Sequence, residues 1–115
     1  MIEKTIIEKY IEASLLREKA IKDVKPKIAN KYFHELKKYY DELRDSNRLN
    51  ELFSLLTHEN KNVQLNAAID LLTISEEAKN VIKHIAETEK GELGMTAKMT
   101  LREWDNGNLK KYLLE

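Results

Sequence analysis

Apolar residues recur along this chain at helical spacing, and none of the patterns has the two-residue period of a half-buried strand. The densest stretch runs from Asn62 to Ile74. Leu65, Ala68, Ile69 and Leu72 form one row along it, and Val63, Ala67, Leu71 and Ile74 form a second. Asn62, Asn66, Asp70 and Thr73, at i, i+4, i+8 and i+11, form one narrow polar strip. A helix apolar on most of its circumference must be enclosed by neighbours. The small pair Ala67–Ala68 lets one of them come close. The pattern predicts an inner helix over 62–74, with the rest of the chain supplying its surroundings.

The flanking elements follow from the same periodicity. Ile2, Ile6, Ile7, Tyr10, Ile11 and Ser14 predict a first helix from about Ile2 to about Lys22. Pro26 suits the first turn of a second helix, where its missing N–H is not needed. That helix has Ile28, Ala29, Tyr32, Phe33, Leu36, Tyr39, Tyr40 and Leu43 on its inward face. Lys27, Lys31, Glu35, Lys38, Glu42 and Asp45 form the solvated side. Asp45–Asn47 reads as a turn holding an N-cap, followed by a third helix with Leu49, Leu52, Phe53 and Leu56. Asn62 is the expected cap of the inner helix. Ser75, followed by Glu76 and Glu77, is the expected cap of a fifth, which buries Ala78, Val81, Ile82, Ile85 and Ala86. Thr88–Gly94 reads as a loop. A sixth helix is expected over Met95–Asp105, with Ala97, Leu101 and Trp104 inward and Asn106–Gly107 closing it. A last turn lays Leu109, Tyr112 and Leu113 on the body or frays.

A shift of 30 residues superposes the second half on itself. Leu52, Leu55 and Leu56 meet Ile82, Ile85 and Ala86; Val63, Ala67, Ile69 and Leu71 meet Leu93, Ala97, Met99 and Leu101. One fixed offset across two helices points to a helical-hairpin repeat. The expected architecture is all-α: a right-handed stack of three helical hairpins in one domain, 1–115. Residues 1–46 would form an N-terminal capping hairpin and 47–115 two repeat hairpins.

Composition narrows the functional classes. The chain has 115 residues, enough for one core, and 35% of them are charged. The absence of cysteine excludes disulfides and thiolate metal sites. No window approaches the roughly 18 apolar residues of a membrane span, and the N-terminus lacks the apolar core of a signal peptide. A cytoplasmic protein is expected. Net charge is zero. Residues 1–50 carry 12 Lys and Arg against 9 Asp and Glu, and residues 51–115 carry 8 against 11. That balance argues against a dedicated nucleic-acid binder and allows an acidic face in the second half.

Two segments carry a resemblance. Leu52–Leu72, with its central Val63 followed by Ala67–Ala68, resembles a HEAT-type repeat. Gly91–Leu109, above all Ala97-x-Met99-Thr100-Leu101-x-Glu103-Trp104, is similar to the end of a small family of bacterial HEAT-like proteins of unknown function. Members of that family occur as candidate immunity proteins beside polymorphic or contact-dependent toxins. The resemblance implies a non-catalytic immunity protein that binds a cognate toxin domain. Gln64 and Asn66 stand where a basic or aromatic residue is expected after the central Val, so the partner need not be the family's.

The residues themselves offer little chemistry. His34-Glu35 begins like a zinc-protease helix but lacks the second His four residues on. His58 and His84 lie in a turn and on an exposed stripe, so no metal or other cofactor is expected. Ser46 and Ser75 read as turn or cap residues; Ser14 and Ser54 lie outside any strand-to-helix elbow. Glu76 and Glu77 suit a helix N-terminus, and Glu87 and Glu89 a solvated loop. Lys25, Lys27, Lys31, Lys37 and Lys38 with Tyr39 and Tyr40 offer single-stranded nucleic acid a basic, stacking surface, yet the tyrosines continue the apolar stripe. Core packing is the expected role of Trp104.

In stacked hairpins the second helices line the concave face, commonly the binding face. Asn62, Asn66 and Asp70, with Glu92, Thr96, Thr100 and Glu103 in the next repeat, are therefore the expected partner-binding residues. A nucleic-acid-binding module on the second helix, or a general interaction scaffold, are the competing readings. Salt dependence separates the first from a protein interface.

Overall fold

The computed structural model describes residues 4–107. Among them the backbone is 81% helical and has no strand, as the periodicity predicts. Five α-helices are present: α1 (Ile6–Lys22), α2 (Pro26–Asp45), α3 (Lys61–Asp70), α4 (Glu76–Thr88) and α5 (Gly91–Asp105). A 3-10 helix, Leu49–Thr57, lies between α2 and α3. The chain divides into two compact units, Met1–Phe53 and Ser54–Glu115.

In the first unit α1 packs on α2. A capping box starts α1. The Thr5 hydroxyl accepts from the Glu8 N–H at 3.1 Å, and the Glu8 carboxylate accepts from the Thr5 N–H at 3.3 Å. Pro26 occupies the first turn of α2, as expected. Both helices end in a left-handed residue that lets the chain reverse. Val24 (φ 54°) follows α1, and Lys25 N–H then donates to the Ala20 carbonyl at 2.8 Å. Asn47 (φ 59°) follows α2, and Arg48 N–H donates to the Leu43 carbonyl at 2.7 Å. Residues 45–47 therefore close α2 instead of capping the next helix. The Ser46 hydroxyl donates back to the Glu42 carbonyl at 2.7 Å.

Tyr10, Ala13, Ser14 and Ala20 of α1 are buried, as are Leu36, Tyr40 and Leu43 of α2. Ile28 and Phe33, expected inward, are each 42% exposed, and Tyr32 and Tyr39 are half-buried. At about 100° per residue the α2 stripe spans roughly 140°, with Ile28 and Phe33 at its edges. One antiparallel neighbour covers the middle of such a stripe and leaves its edges partly wet.

The expected third α-helix is the 3-10 segment. Leu52, Leu55 and Leu56 are buried there as predicted. The tighter winding stretches its nine residues over about 18 Å, where an α-helix would cover about 13.5 Å.

In the second unit α4 packs on both α3 and α5. The cap of α3 is Asn60 and not Asn62. Its side-chain oxygen accepts from the Asn62 and Val63 N–H groups at 2.8 and 3.1 Å. The preceding turn is tied down twice. Asn60 N–H donates to His58 Nδ1 at 3.0 Å, and Gln64 Nε2 donates to the His58 carbonyl at 2.6 Å. Val63, Leu65, Ala67, Ala68, Leu71 and Leu72 are buried, whereas Ile74 is 53% exposed. The helix stops at Asp70, four residues early. Ser75 must be extended (φ −146°, ψ 120°) for its hydroxyl to accept from Ala78 N–H at 3.1 Å. Residues 71–74 reach that conformation through turns in which Leu72 and Ile74 N–H donate to the carbonyls of Ile69 and Leu71.

Ala78, Ile82, Ile85 and Ala86 of α4 are buried. The expected loop 88–94 is instead mostly helix, because α5 begins at Gly91. Gly94 is an approach point: a Cβ there would sit 2.0 Å from the Glu89 carbonyl oxygen. In α5 Gly94 and Ala97 are buried, but Leu101 and Trp104 are only half-buried. Gly107 (φ 83°) ends the helix where the sequence placed its stop. The expected last turn, Leu109–Glu115, and the start of the first helix at Ile2 lie outside the described residues.

Candidate functional site

α3 and α5 begin 30 residues apart, at Lys61 and Gly91, which is the offset of the sequence repeat. Equivalent positions therefore share a helical phase. Asn62, Asn66 and Asp70 run along one edge of α3, and Glu92, Thr96 and Thr100 run along the corresponding edge of α5. Glu103 falls on the same side of α5, one turn beyond.

The two strips differ in access. Asn62, Asn66 and Asp70 are each half-buried and engaged in an interaction within the protein. Thr100 is half-buried, and its hydroxyl donates to the Thr96 carbonyl at 2.8 Å. Glu103 is also half-buried and engaged. Glu92 and Thr96 are exposed. Each residue of the α3 strip thus has an interaction within the protein, and Glu92 and Thr96 of α5 are the exposed ones.

Sequence reasoning missed the most exposed apolar residues of this helix. Met95 and Met99 are 62% and 50% exposed. Met99 is the residue that the 30-residue offset matches to Ile69. Around α5 both methionines lie roughly half a turn away from Ala97, Leu101 and Trp104. A helical wheel drawn on the Ala97–Leu101–Trp104 face alone would have found them. A groove of about 610 Å³ lies between α4 and α5, lined by Lys83, Ala86, Glu87, Lys98 and Leu101. Its two ammonium groups and one carboxylate are solvated side chains around a small apolar floor.

The basic-aromatic surface of α2 is largely committed to internal contacts. Tyr40 is 2% exposed, so its ring cannot stack a base. Lys37 pairs with Asp41 at 3.1 Å and lies 4.9 Å from the Tyr40 ring centre. Lys31 and Lys38 lie over Tyr32 and Tyr39 in the same way, at 5.4 and 5.9 Å. Burial, then the carboxylates of Glu35, Glu42 and Glu12, hold the Tyr39 hydroxyl above its ordinary pKa. Lys25, Lys27, Lys31 and Lys38 remain exposed.

His34 and His84 are exposed, and His58 accepts the turn hydrogen bond described above. No group of three or more His, Asp or Glu side chains among the described residues is placed to hold a metal ion. No helix among them is long and apolar enough to cross a membrane.

Among the described residues the chain is all-helical, and α3 and α5 begin 30 residues apart and carry polar residues at corresponding positions. Residues 4–105 match the family described as a domain of unknown function (DUF2019), and the chain belongs to that family. Neither a curated protein nor a solved structure matches it.

Proposed function

We propose that this member of the family is a HEAT-like helical-hairpin array, a right-handed stack in which α4–α5 forms the last repeat. It works in the cytoplasm, without catalysis, as an immunity protein that binds and blocks a cognate toxin domain. The observation that carries the reading is the matched phase of the α3 and α5 polar edges. In that array Asp70, Glu92 and Glu103 are the carboxylates of the partner-binding side. A nuclease toxin must attract a polyanion, so its cleft is basic. An acidic face on a rigid helix is steered toward such a cleft and complements it.

Glu92 is the informative probe, because it is exposed and its replacement is expected to leave the fold intact. Asp70 and Glu103 are poorer probes, since each is engaged within the protein. Cells expressing a cognate toxin domain are expected to survive with the parent protein and to lose protection with Glu92→Lys. Lys31→Glu on α2 serves as the control on a different surface. Unchanged protection by Glu92→Lys together with lost protection by Lys31→Glu would move the site to α2. Protection by neither the parent nor any variant would remove the immunity reading.

A further inference from the structure

Glu92, Met95, Met99 and Arg102 are all exposed on α5. At about 100° per residue they fall within an arc of roughly 80°. Their spacing is three, four and three residues, the same read from either end. Their chemistry is not the same from either end: an acid opens the series and a base closes it.

Such a surface is complementary to itself. A two-fold axis crossing α5 at the level of Ala97 lies midway between Glu92 and Arg102, and also midway between Met95 and Met99. Antiparallel packing about that axis sets Met95 against Met99 of the second copy, twice. The same register sets Glu92 against Arg102 of the second copy, twice. Parallel packing would instead oppose Glu92 to Glu92 and Arg102 to Arg102, which repels at both ends. Sliding by one turn separates the charges while the methionines still touch. One orientation and one register therefore satisfy all four residues.

We propose that α5 is the interface of a symmetric homodimer, in which the second copy covers the exposed methionines. This goes beyond the immunity reading and does not rest on it; Glu92 belongs to both surfaces, so toxin and second copy compete for it, and Met99→Glu tests the dimer without touching Glu92. The residues have the properties of an isologous contact: a self-complementary patch, a soft apolar centre and a charged rim. One 15-residue helix is about 22 Å long. A single helix pair of that length falls below the roughly 1,200 Å² of a standard interface, so the dimer is weak and reversible.

The test is sedimentation equilibrium of the full chain from micromolar to millimolar concentration. The parent protein is expected to follow a monomer–dimer equilibrium. Glu92→Arg or Arg102→Glu alone should weaken self-association about tenfold or more, because each creates two like-charge contacts. The two single variants mixed together should associate with each other, since the heterodimer restores opposite charges at both ends. Met99→Glu should leave a monomer. Circular dichroism of each variant checks that α5 is intact. A parent protein that stays monomeric throughout overturns the proposal, as it would if a different protein covers the methionines. So does a mixture of the two charge variants that fails to associate, or single variants that dimerise like the parent.

Discussion

Val24 makes the turn after α1 a test of backbone strain. Its φ of 54° lies in the left-handed region, and its side chain is 82% exposed. The conformation is imposed by the helix end: Val24 and Lys25 N–H groups donate to the Ile21 and Ala20 carbonyls at 3.1 and 2.8 Å. An L-residue in that region costs roughly 1–2 kcal/mol, and β-branching makes valine a poor occupant. Glycine removes the steric cost but loses about 0.5–1 kcal/mol through its larger unfolded-state freedom. The exposed isopropyl group contributes little burial to lose. Val24→Gly is therefore expected to stabilise the protein by about 0.5–1 kcal/mol, or roughly 2–5 °C in melting temperature at this chain length. Urea unfolding followed by circular dichroism should show a higher midpoint with an unchanged slope. Val24→Ala, which keeps the Cβ, should gain less, and Val24→Asn should fall between. A neutral or lower midpoint for Val24→Gly, or an equal gain from Val24→Ala, would refute the strain argument.

Gly94→Ala should destabilise strongly, by about 1–3 kcal/mol as for other overpacked sites, because the new methyl meets the Glu89 carbonyl; a parent-like melt would show that α4 and α5 can part. Asn60→Ala should cost about 1 kcal/mol through the lost cap of α3, whereas Asn62→Ala should not show a capping loss; equal denaturation midpoints for the two would put the cap back at Asn62.

Much of the fold was legible because helical period survives in any environment. The rows through Leu65, Leu71, Ile82 and Ile85 gave most of the buried positions, although Ile69 and Val81 are only half-buried and Ile74 is exposed. The end of the first helix at Lys22, Pro26 at the start of α2, the Ser75 cap and the Gly107 stop were also readable. Boundaries failed where one residue type serves two purposes. Gly91 and Gly94 looked like a loop, but Gly94 is needed for close helix approach. Two asparagines compete for one cap, and sequence does not say which turn begins the helix. The Thr5-x-x-Glu8 capping box was present in the sequence and overlooked. Nothing in the sequence marks Val24, since valine is the wrong residue for its position. At the candidate site, periodicity put Asn66 and Asp70 on a polar edge but could not see that both are engaged within the protein. Met95 and Met99 were hidden by their hydrophobicity, which pattern reading assigns to the core.

The close approach of Gly94 to Glu89 has a consequence for recognition. Only Glu89 and Lys90 separate α4 from α5, and the first turn of α5 rests against the end of α4. The outer face of α5 is thus held in one orientation before anything binds it. A partner arriving there need not freeze a loop or align a helix. What remains to be ordered is local: the rotamers of Met95 and Met99, at about 0.5–1.5 kcal/mol for each side chain immobilised. Small patches bind weakly chiefly because ordering consumes their modest contact energy. A two-residue connection that removes most of that entropy loss lets four side chains on one short helix act as a recognition surface.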